Sequence, residues 1–224
     1  MNFVLVMKTV KDYYQNRFKK SEYETRIKMW KILCEECFQK HIPPKSVVFE
    51  FGAGYCEFIN NIKASYKYAV DINPDIERFA NSNIRIINKS ALRIPKKYYS
   101  KANVVFMSNF LEHLNTKEEV IEVLNQAKKV LKKDGKILIL QPNIDLTKEA
   151  YWDFIDHKVA LNKNSLTEAL EIVGFKINNF AERFLPYTTK SALPVYGFLI
   201  RLYCRLPYIL RPFAGQSFVV GIKK

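Results

Sequence analysis

The stretch Val47-Val48-Phe49-Glu50-Phe51-Gly52-Ala53-Gly54-Tyr55-Cys56-Glu57 constrains this chain more than any other. An apolar run ends at an acidic residue, passes two closely spaced glycines and resumes as a helical pattern. Twenty-one residues after Glu50, a second apolar run, Tyr68-Ala69-Val70, ends at Asp71. A strand, a tight turn, a helix and a second strand tipped by a carboxylate form a nucleoside-binding unit. Gly52 and Gly54 let the backbone approach a ligand without a Cβ clash.

Two kinds of nucleoside cofactor compete for that unit. A dinucleotide turn wants a third glycine, because its pyrophosphate rests on the first turn of the helix. Here that position is Glu57, and its charge would repel two phosphates. S-adenosylmethionine carries no phosphate. Its tail ammonium suits Glu50 at the end of the first strand, and its ribose hydroxyls suit Asp71.

These residues resemble the class I S-adenosylmethionine-dependent methyltransferases, and the resemblance runs along most of the chain. Glu50-x-Gly52-x-Gly54, with Ala53 between the glycines, is similar to the family's first motif, and Asp71-Ile72-Asn73-Pro74 to its acidic second motif. Ser90-Ala91 resembles the place where the adenine is held. Val104 to Asn109 resembles the fourth strand and its tip, with Ser108 and Asn109 facing the cofactor, and Leu131 to Lys136 the turn into the fifth strand. More narrowly, Gly54 to Ile62, Ser108 to Leu114 and Gln141-Pro142-Asn143 resemble a bacterial subgroup associated with surface-glycan synthesis. The family often has a third glycine where this chain has Cys56, whose Cβ is expected to narrow the pocket floor.

The resemblance implies an α/β, Rossmann-like fold: a seven-stranded, mostly parallel sheet with helices on both faces and a last antiparallel strand. At 224 residues and 48% hydrophobic content, the chain is long enough to bury one such core. We expect an N-terminal helical segment over 1–45, with a helix at 9–40 ended by Pro43-Pro44, and a methyltransferase domain over 46–224. A helix is expected at 116–133, opened by the capping box Thr116-x-x-Glu119, lined by Val120, Val123, Leu124, Ala127 and Leu131, and left through Gly135. A second capping box, Ser165-x-x-Glu168, is expected to open a helix ending before Gly174. Phe175–Phe184 and Ser217–Ile222 read as the last two strands, an antiparallel pair.

No uninterrupted apolar run reaches the length of a membrane span, and Met1 to Met7 lacks the basic start of a secretory leader, so a cytoplasmic location is expected. The Cys34-x-x-Cys37 pair lies within a helical pattern and has no second pair to complete a zinc site, so the thiols read as core residues. The net charge of +14 is unevenly placed. From Arg183 to Lys224 there are seven basic residues and no acidic one. Residues 185–215, far too many for a hairpin loop, form an inserted arm. Between its middle prolines a helix would put Leu199, Leu202, Tyr203 and Leu206 on one side and Arg201 and Arg205 on another. Such an arm suits peripheral association with an anionic membrane, and equally a cap on the sheet or a dimer face. A nucleic-acid partner is disfavoured, because no appended RNA-binding module or stacking motif accompanies the charge.

Two segments are expected at the carboxyl rim of the sheet, where reactants meet. Asn109, Glu112 and His113, if helical, share a face. With uncharged Asn109 first, no metal is expected there. In Tyr151 to His157, His157 is the candidate general base, oriented by Asp153 if the segment is helical, with Asp156 beside it. Tyr151 and Trp152 suit a sugar or planar ring. Together these readings imply methyl transfer from S-adenosylmethionine to a small molecule or glycan, with oxygen as the expected acceptor. RNA methylation, or cofactor binding without catalysis, are the alternatives.

Overall fold

The computed structural model describes residues 20–187 and 196–224. Residues 9–19 of the expected first helix and 188–195 of the arm lie outside them. Helix α1 (Lys20–Leu33) runs on through a π turn, Cys34–Phe38, and a 3-10 turn, Gln39–His41. Strand β1 (Val47–Phe51), short helix α2 (Glu57–Asn61), β2 (Tyr66–Asp71), β3 (Ile84–Asn88) and β4 (Ala102–Ser108) follow. Then come α3 (Lys117–Val130), β5 (Leu131–Pro142), α4 (Ile144–Thr147), α5 (Lys163–Val173), β6 (Phe175–Pro186), α6 (Gly197–Arg205) and β7 (Ala214–Lys223).

The seven strands form one sheet in the order β3-β2-β1-β4-β5-β7-β6. The pairs β1–β2, β1–β4, β2–β3 and β4–β5 are parallel, and β7 runs antiparallel to both β5 and β6. The expected sheet is therefore present. The chain leaves β1 toward β2 and β3, then returns to lay β4 on the other side of β1. That reversal opens a crevice beyond the carboxyl ends of β1 and β4, which is where ligands bind in such sheets.

Alternation along β1 feeds two cores. Phe49 and Phe51 enter the cluster under α3 and α5, while Val48 enters the one under α1. The second cluster centres on Phe38, fully buried, with its ring within 6.0 Å of Trp30, Phe58, Phe106, Phe184 and Phe218. Cys34 and Cys37 are buried free thiols in the same cluster, as their helical spacing implies. Being apolar and adjacent to Phe38, they hold the end of α1 against the sheet.

Local signals were read less well than topology. Thr116 caps α3 by accepting the Glu119 amide at 3.3 Å, but the Glu119 carboxylate takes the Asn115 amide at 2.8 Å, so the box is offset by one residue. The helix stops at Val130, and Leu131 already belongs to β5, pairing with Ala102. The positive φ at the exit falls on Asp134, at 60°, rather than on Gly135. Helix α5 starts a turn earlier than expected: Asn162 accepts the Ser165 amide and Ser165 Oγ accepts the Asn162 amide, closing the capping box. Asparagine competes with serine as a cap, and a Glu three residues on was a misleading cue.

The arm's helix forms where expected but is rotated. Ile200, Tyr203 and Cys204 pack inward, whereas Leu199 and Leu202 are exposed. The rotation follows from charge: Arg201 pairs with Glu35 at 2.9 Å and with Glu36, and Arg205 approaches Glu36 at 3.6 Å. Arg211 is buried and donates to the carbonyls of Phe184, Cys204 and Leu206 among the rings of Phe184, Tyr203 and Tyr208. Much of the arm's positive charge is thus used to attach it.

Candidate active site

The residues expected at the cofactor all lie along the carboxyl edge of the sheet. Glu50 to Gly54 run from the end of β1 into the turn after it, Asp71 ends β2 with Ile72 next, Ser90 and Ala91 follow β3, and Ser108 ends β4 with Asn109 next. The glycine turn is stapled to β2. The amides of Gly52 and Ala53 donate to the Val70 carbonyl at 2.9 and 3.2 Å, and the Gly54 amide donates to Asp71 Oδ2 at 2.8 Å. Asp71 Oδ1 accepts the Asn73 amide at 2.8 Å, and Glu50 Oε2 accepts the Ile59 amide at 3.1 Å. Beyond β3, Ser90 Oγ accepts the Leu92 amide at 3.2 Å and Ala91 is buried. Asn109 takes a φ of 46°, donates its amide to the Leu140 carbonyl and its Nδ2 to Ser108 Oγ.

Electrostatics says what this edge wants. Glu50 is 4% and Asp71 6% exposed. Burial pushes the Glu50 carboxyl well above the usual carboxylate range, the Ile59 amide pulls it down, and Glu57 and Asp71 push it further up. Burial likewise raises Asp71, opposed by the amides of Asn73, Gly54 and Ile72. No basic side chain of the described residues figures among the groups that shift either carboxylate. A ligand bearing an ammonium and a sulfonium supplies the missing positive charge, and a pyrophosphate would compound the deficit. The residues present fit S-adenosylmethionine.

Glu57 itself does not disfavour a phosphate. Arg26 on α1 grips that carboxylate at 2.8 and 2.6 Å and lies 5.7 Å from the Tyr55 ring centroid. Glu57 is therefore neutralised and is no obstacle to phosphate. Cys56 takes a left-handed φ of 57°, and its fully buried side chain joins the α1-side core together with Ala53. Two residues were missed altogether. Arg26 gives no sequence signal of its partner, since the pair spans 31 positions. Phe110 sits on the turn, so a Cβ on Gly52 would lie 2.4 Å from its Cδ2, in addition to the strain of φ at 68°.

The acceptor rim departs from expectation. Asn109, Glu112 and His113 do not share a helical face, because Leu111–His113 is a single 3-10 turn and Asn109 is left-handed. The segment after Asp153 bends instead of continuing as a helix, so Asp153 is exposed and has no helical register with His157. Asp156 instead faces His113, with its Oδ2 3.3 Å and its carbonyl 3.2 Å from Nδ1. The Glu112 carbonyl accepts the amides of Lys158 and Val159, locking the two segments together. Glu112, His113 and His157 thereby converge, with ligand atoms within 4.8 Å of one another. Tyr151 is buried, donates to the Val159 carbonyl at 2.6 Å, and is held far above its ordinary pKa by burial and the Glu112 charge. Trp152 is 53% exposed.

Comparison with known proteins decides the family. Residues 24–179 match the family described as a methyltransferase domain. The chain belongs to that family. It is a class I S-adenosylmethionine-dependent methyltransferase. An uncharacterised protein of Methanocaldococcus jannaschii is 28% identical over 200 residues, 84% of this chain and 85% of that protein. Among solved structures, a methyltransferase of Archaeoglobus fulgidus described as S-adenosylmethionine-dependent has a TM-score of 0.59 at 21% identity, covering 86% of this chain and 94% of that one. A putative methyltransferase of Haloferax volcanii, in complex with the activator Trm112, has a TM-score of 0.66 at 10% identity, with 94% and 96% covered. A possible histamine N-methyltransferase of Thermotoga maritima has a TM-score of 0.63 at 16% identity, with 95% and 98% covered. These likenesses establish the fold.

Glu50 is the most deeply buried carboxylate of this edge, 4% exposed. Because its folded pKa is raised, its contribution to stability is fully present at acid pH and is lost as pH rises through the raised value. Glu50→Gln is therefore expected to raise the melting temperature of the free protein at pH 8. It should also weaken S-adenosylmethionine about ten- to a hundredfold, the worth of a charged hydrogen bond. A variant less stable than the parent at pH 8, or one with unchanged affinity by calorimetry, contradicts this role.

Proposed function

We propose that the chain methylates a hydroxyl oxygen of a small molecule or glycan. The observation that carries this reading is the group Glu112, His113, Asp156 and His157 at the rim beyond β4 and β5, where an oxygen nucleophile must shed a proton. S-adenosylmethionine supplies a methyl group already activated on a sulfonium. The chain's own work is to hold the donor with Glu50 and Asp71, admit the acceptor in line at about 3–3.5 Å, and receive its proton. As the new C–O bond forms, the S–CH3 bond breaks, its electron pair stays on sulfur, and the acceptor proton passes to the imidazole–carboxylate group. Exposed Trp152 offers a face on which a sugar ring can stack. Against an RNA acceptor stands the arm's chemistry: Arg201 is occupied by Glu35 and Glu36, and Arg211 is buried, so little of its charge is free for phosphates.

The test is product analysis by mass spectrometry after incubation with hydroxyl-bearing sugars, nucleotide sugars and phenols, with total RNA in parallel. A methyl ether on a small acceptor or glycan is expected. His157→Asn should lower kcat about a hundredfold or more, with S-adenosylmethionine affinity unchanged. Methyl groups found only in RNA contradict the reading.

The arm adds a second proposal, that it rests on an anionic membrane surface. No described helix is long and apolar enough to cross a membrane. Yet Phe198, Leu202, Ile209, Leu210 and Phe213 are 57–82% exposed, in a stretch without acidic residues. Apolar side chains of this kind insert at the headgroup boundary. Because Arg201 and Arg205 are tied to Glu35 and Glu36, charge contributes less than composition implies. Sedimentation with phosphatidylserine-containing vesicles at low salt should carry down the parent chain and leave the Ile209→Asp/Phe213→Asp variant in solution. A parent chain that stays in solution at low salt overturns the proposal.

A further inference from the structure

We infer that Glu112, His113 and His157 form a binding site for one divalent transition-metal ion at the acceptor rim. The ion's binding does not depend on the methyl-transfer reading; only its catalytic use does. The three side chains come from two segments 44 positions apart, so their meeting is a product of the fold and not of local spacing. The meeting is fixed by backbone: the Lys158 and Val159 amides donate to the Glu112 carbonyl at 2.8 and 3.2 Å, and the His157 amide donates to the Phe154 carbonyl at 3.0 Å.

Each ligand is pre-aimed. Asp156 occupies the Nδ1 side of His113, leaving Nε2 directed at Glu112, 3.9 Å from Oε1. A histidine held by a carboxylate on one ring nitrogen and presenting the other is the usual support for a metal-bound imidazole. The His157 ring is boxed by Tyr151, Phe154 and His113, with centroids 5.0–5.1 Å away. The Glu112 side chain is 2% exposed. A carboxylate buried beside two imidazoles is compensated by an added positive charge. The Tyr151 phenol beside them supplies no positive charge.

The donor set selects the ion. Two imidazole nitrogens and one carboxylate oxygen suit Zn²⁺, Mn²⁺, Fe²⁺ or Co²⁺ over Ca²⁺ and Mg²⁺, which prefer all-oxygen shells. Ligand atoms up to 4.8 Å apart need to close by about 1.4 Å to meet a tetrahedral ion at about 2.1 Å from each. Three protein ligands leave a coordination position open, the pattern of catalytic rather than structural sites. His113, 25% exposed, puts that position on the rim side. The ligand class this implies is an acceptor with a coordinating hydroxyl. The ion and the proton compete for the same imidazoles: the imidazole–carboxylate group receives the acceptor proton in the metal-free protein, and with the ion bound the coordinated hydroxyl would lose it to water near neutral pH.

The experiment is calorimetric titration of chelator-stripped, full-length protein with ZnCl2, MnCl2 and MgCl2, followed by metal analysis of the dialysed product. One equivalent of Zn²⁺ or Mn²⁺ is expected at micromolar or lower Kd, with Mg²⁺ at least tenfold weaker. Glu112→Gln and His157→Gln should each weaken binding at least tenfold, and Asp156→Asn should weaken it less. Binding that is absent, or unchanged in both ligand variants, overturns the proposal. Should the variants fail to fold, the parent chain decides alone: Co²⁺ must develop the visible absorption of a low-coordinate nitrogen–oxygen site, and Co²⁺ that keeps the spectrum of the free aqueous ion overturns it. S-adenosylmethionine binding, measured separately on the same samples, tells loss of the ion from loss of the donor site.

Discussion

Two buried carboxylates, with no basic side chain of the described residues among the groups that shift them, set the electrostatics of the sheet's carboxyl edge. Glu50 and Asp71 end adjacent strands, and both carry raised pKa values because burial outweighs the amide donors around them. The β1–β2 register and the stapled glycine turn hold both side chains side by side at that edge. On the reading proposed above, a charged ligand offsets the cost of burying them. The same logic explains the neighbourhood. Glu57, a third carboxylate within the same electrostatic reach, is neutralised by Arg26, which also draws α1 over the turn. The leading helix therefore packs on the sheet through Trp30, Leu33 and Phe38 and borders the cofactor turn through Arg26.

The sheet and its carboxylate-tipped, glycine-turned edge were legible because both rest on short-range rules. An apolar run ending in Glu50, two glycines and an acidic residue ending the next run can be read without knowing the fold. Strand–helix alternation then dictates a parallel sheet and a crevice at its carboxyl ends. Helix termini were less legible, since Asn162 and Ser165 offer rival caps of similar strength. The face of the arm's helix was misjudged because Leu199 and Leu202 look like core residues, and only the distant Glu35 and Glu36 reveal how Arg201 turns the helix.

The acceptor rim was the least legible part. His157 and Asp156 were singled out as residues, but their partners were not, because a helical register was assumed where the chain bends after Asp153. The bend sends Asp156 to His113 and brings His157 to Glu112, contacts that span more than forty positions and leave no periodic trace. Phe110 gives no signal either; its role follows only from where its ring lies against Gly52. Residues that act through long-range contacts are visible to sequence reasoning as candidates, and the fold alone says with whom they act.

The central claim is that the Glu50–Asp71 edge recognises a cationic adenosyl amino acid. Calorimetric titration of the unaltered chain with S-adenosylmethionine at pH 6 and pH 8 tests it most directly. One equivalent is expected to bind at both values, and more tightly at pH 8, where the proton on Glu50 is easier to displace. No heat with S-adenosylmethionine, together with saturable binding of a nicotinamide or flavin dinucleotide, would contradict it.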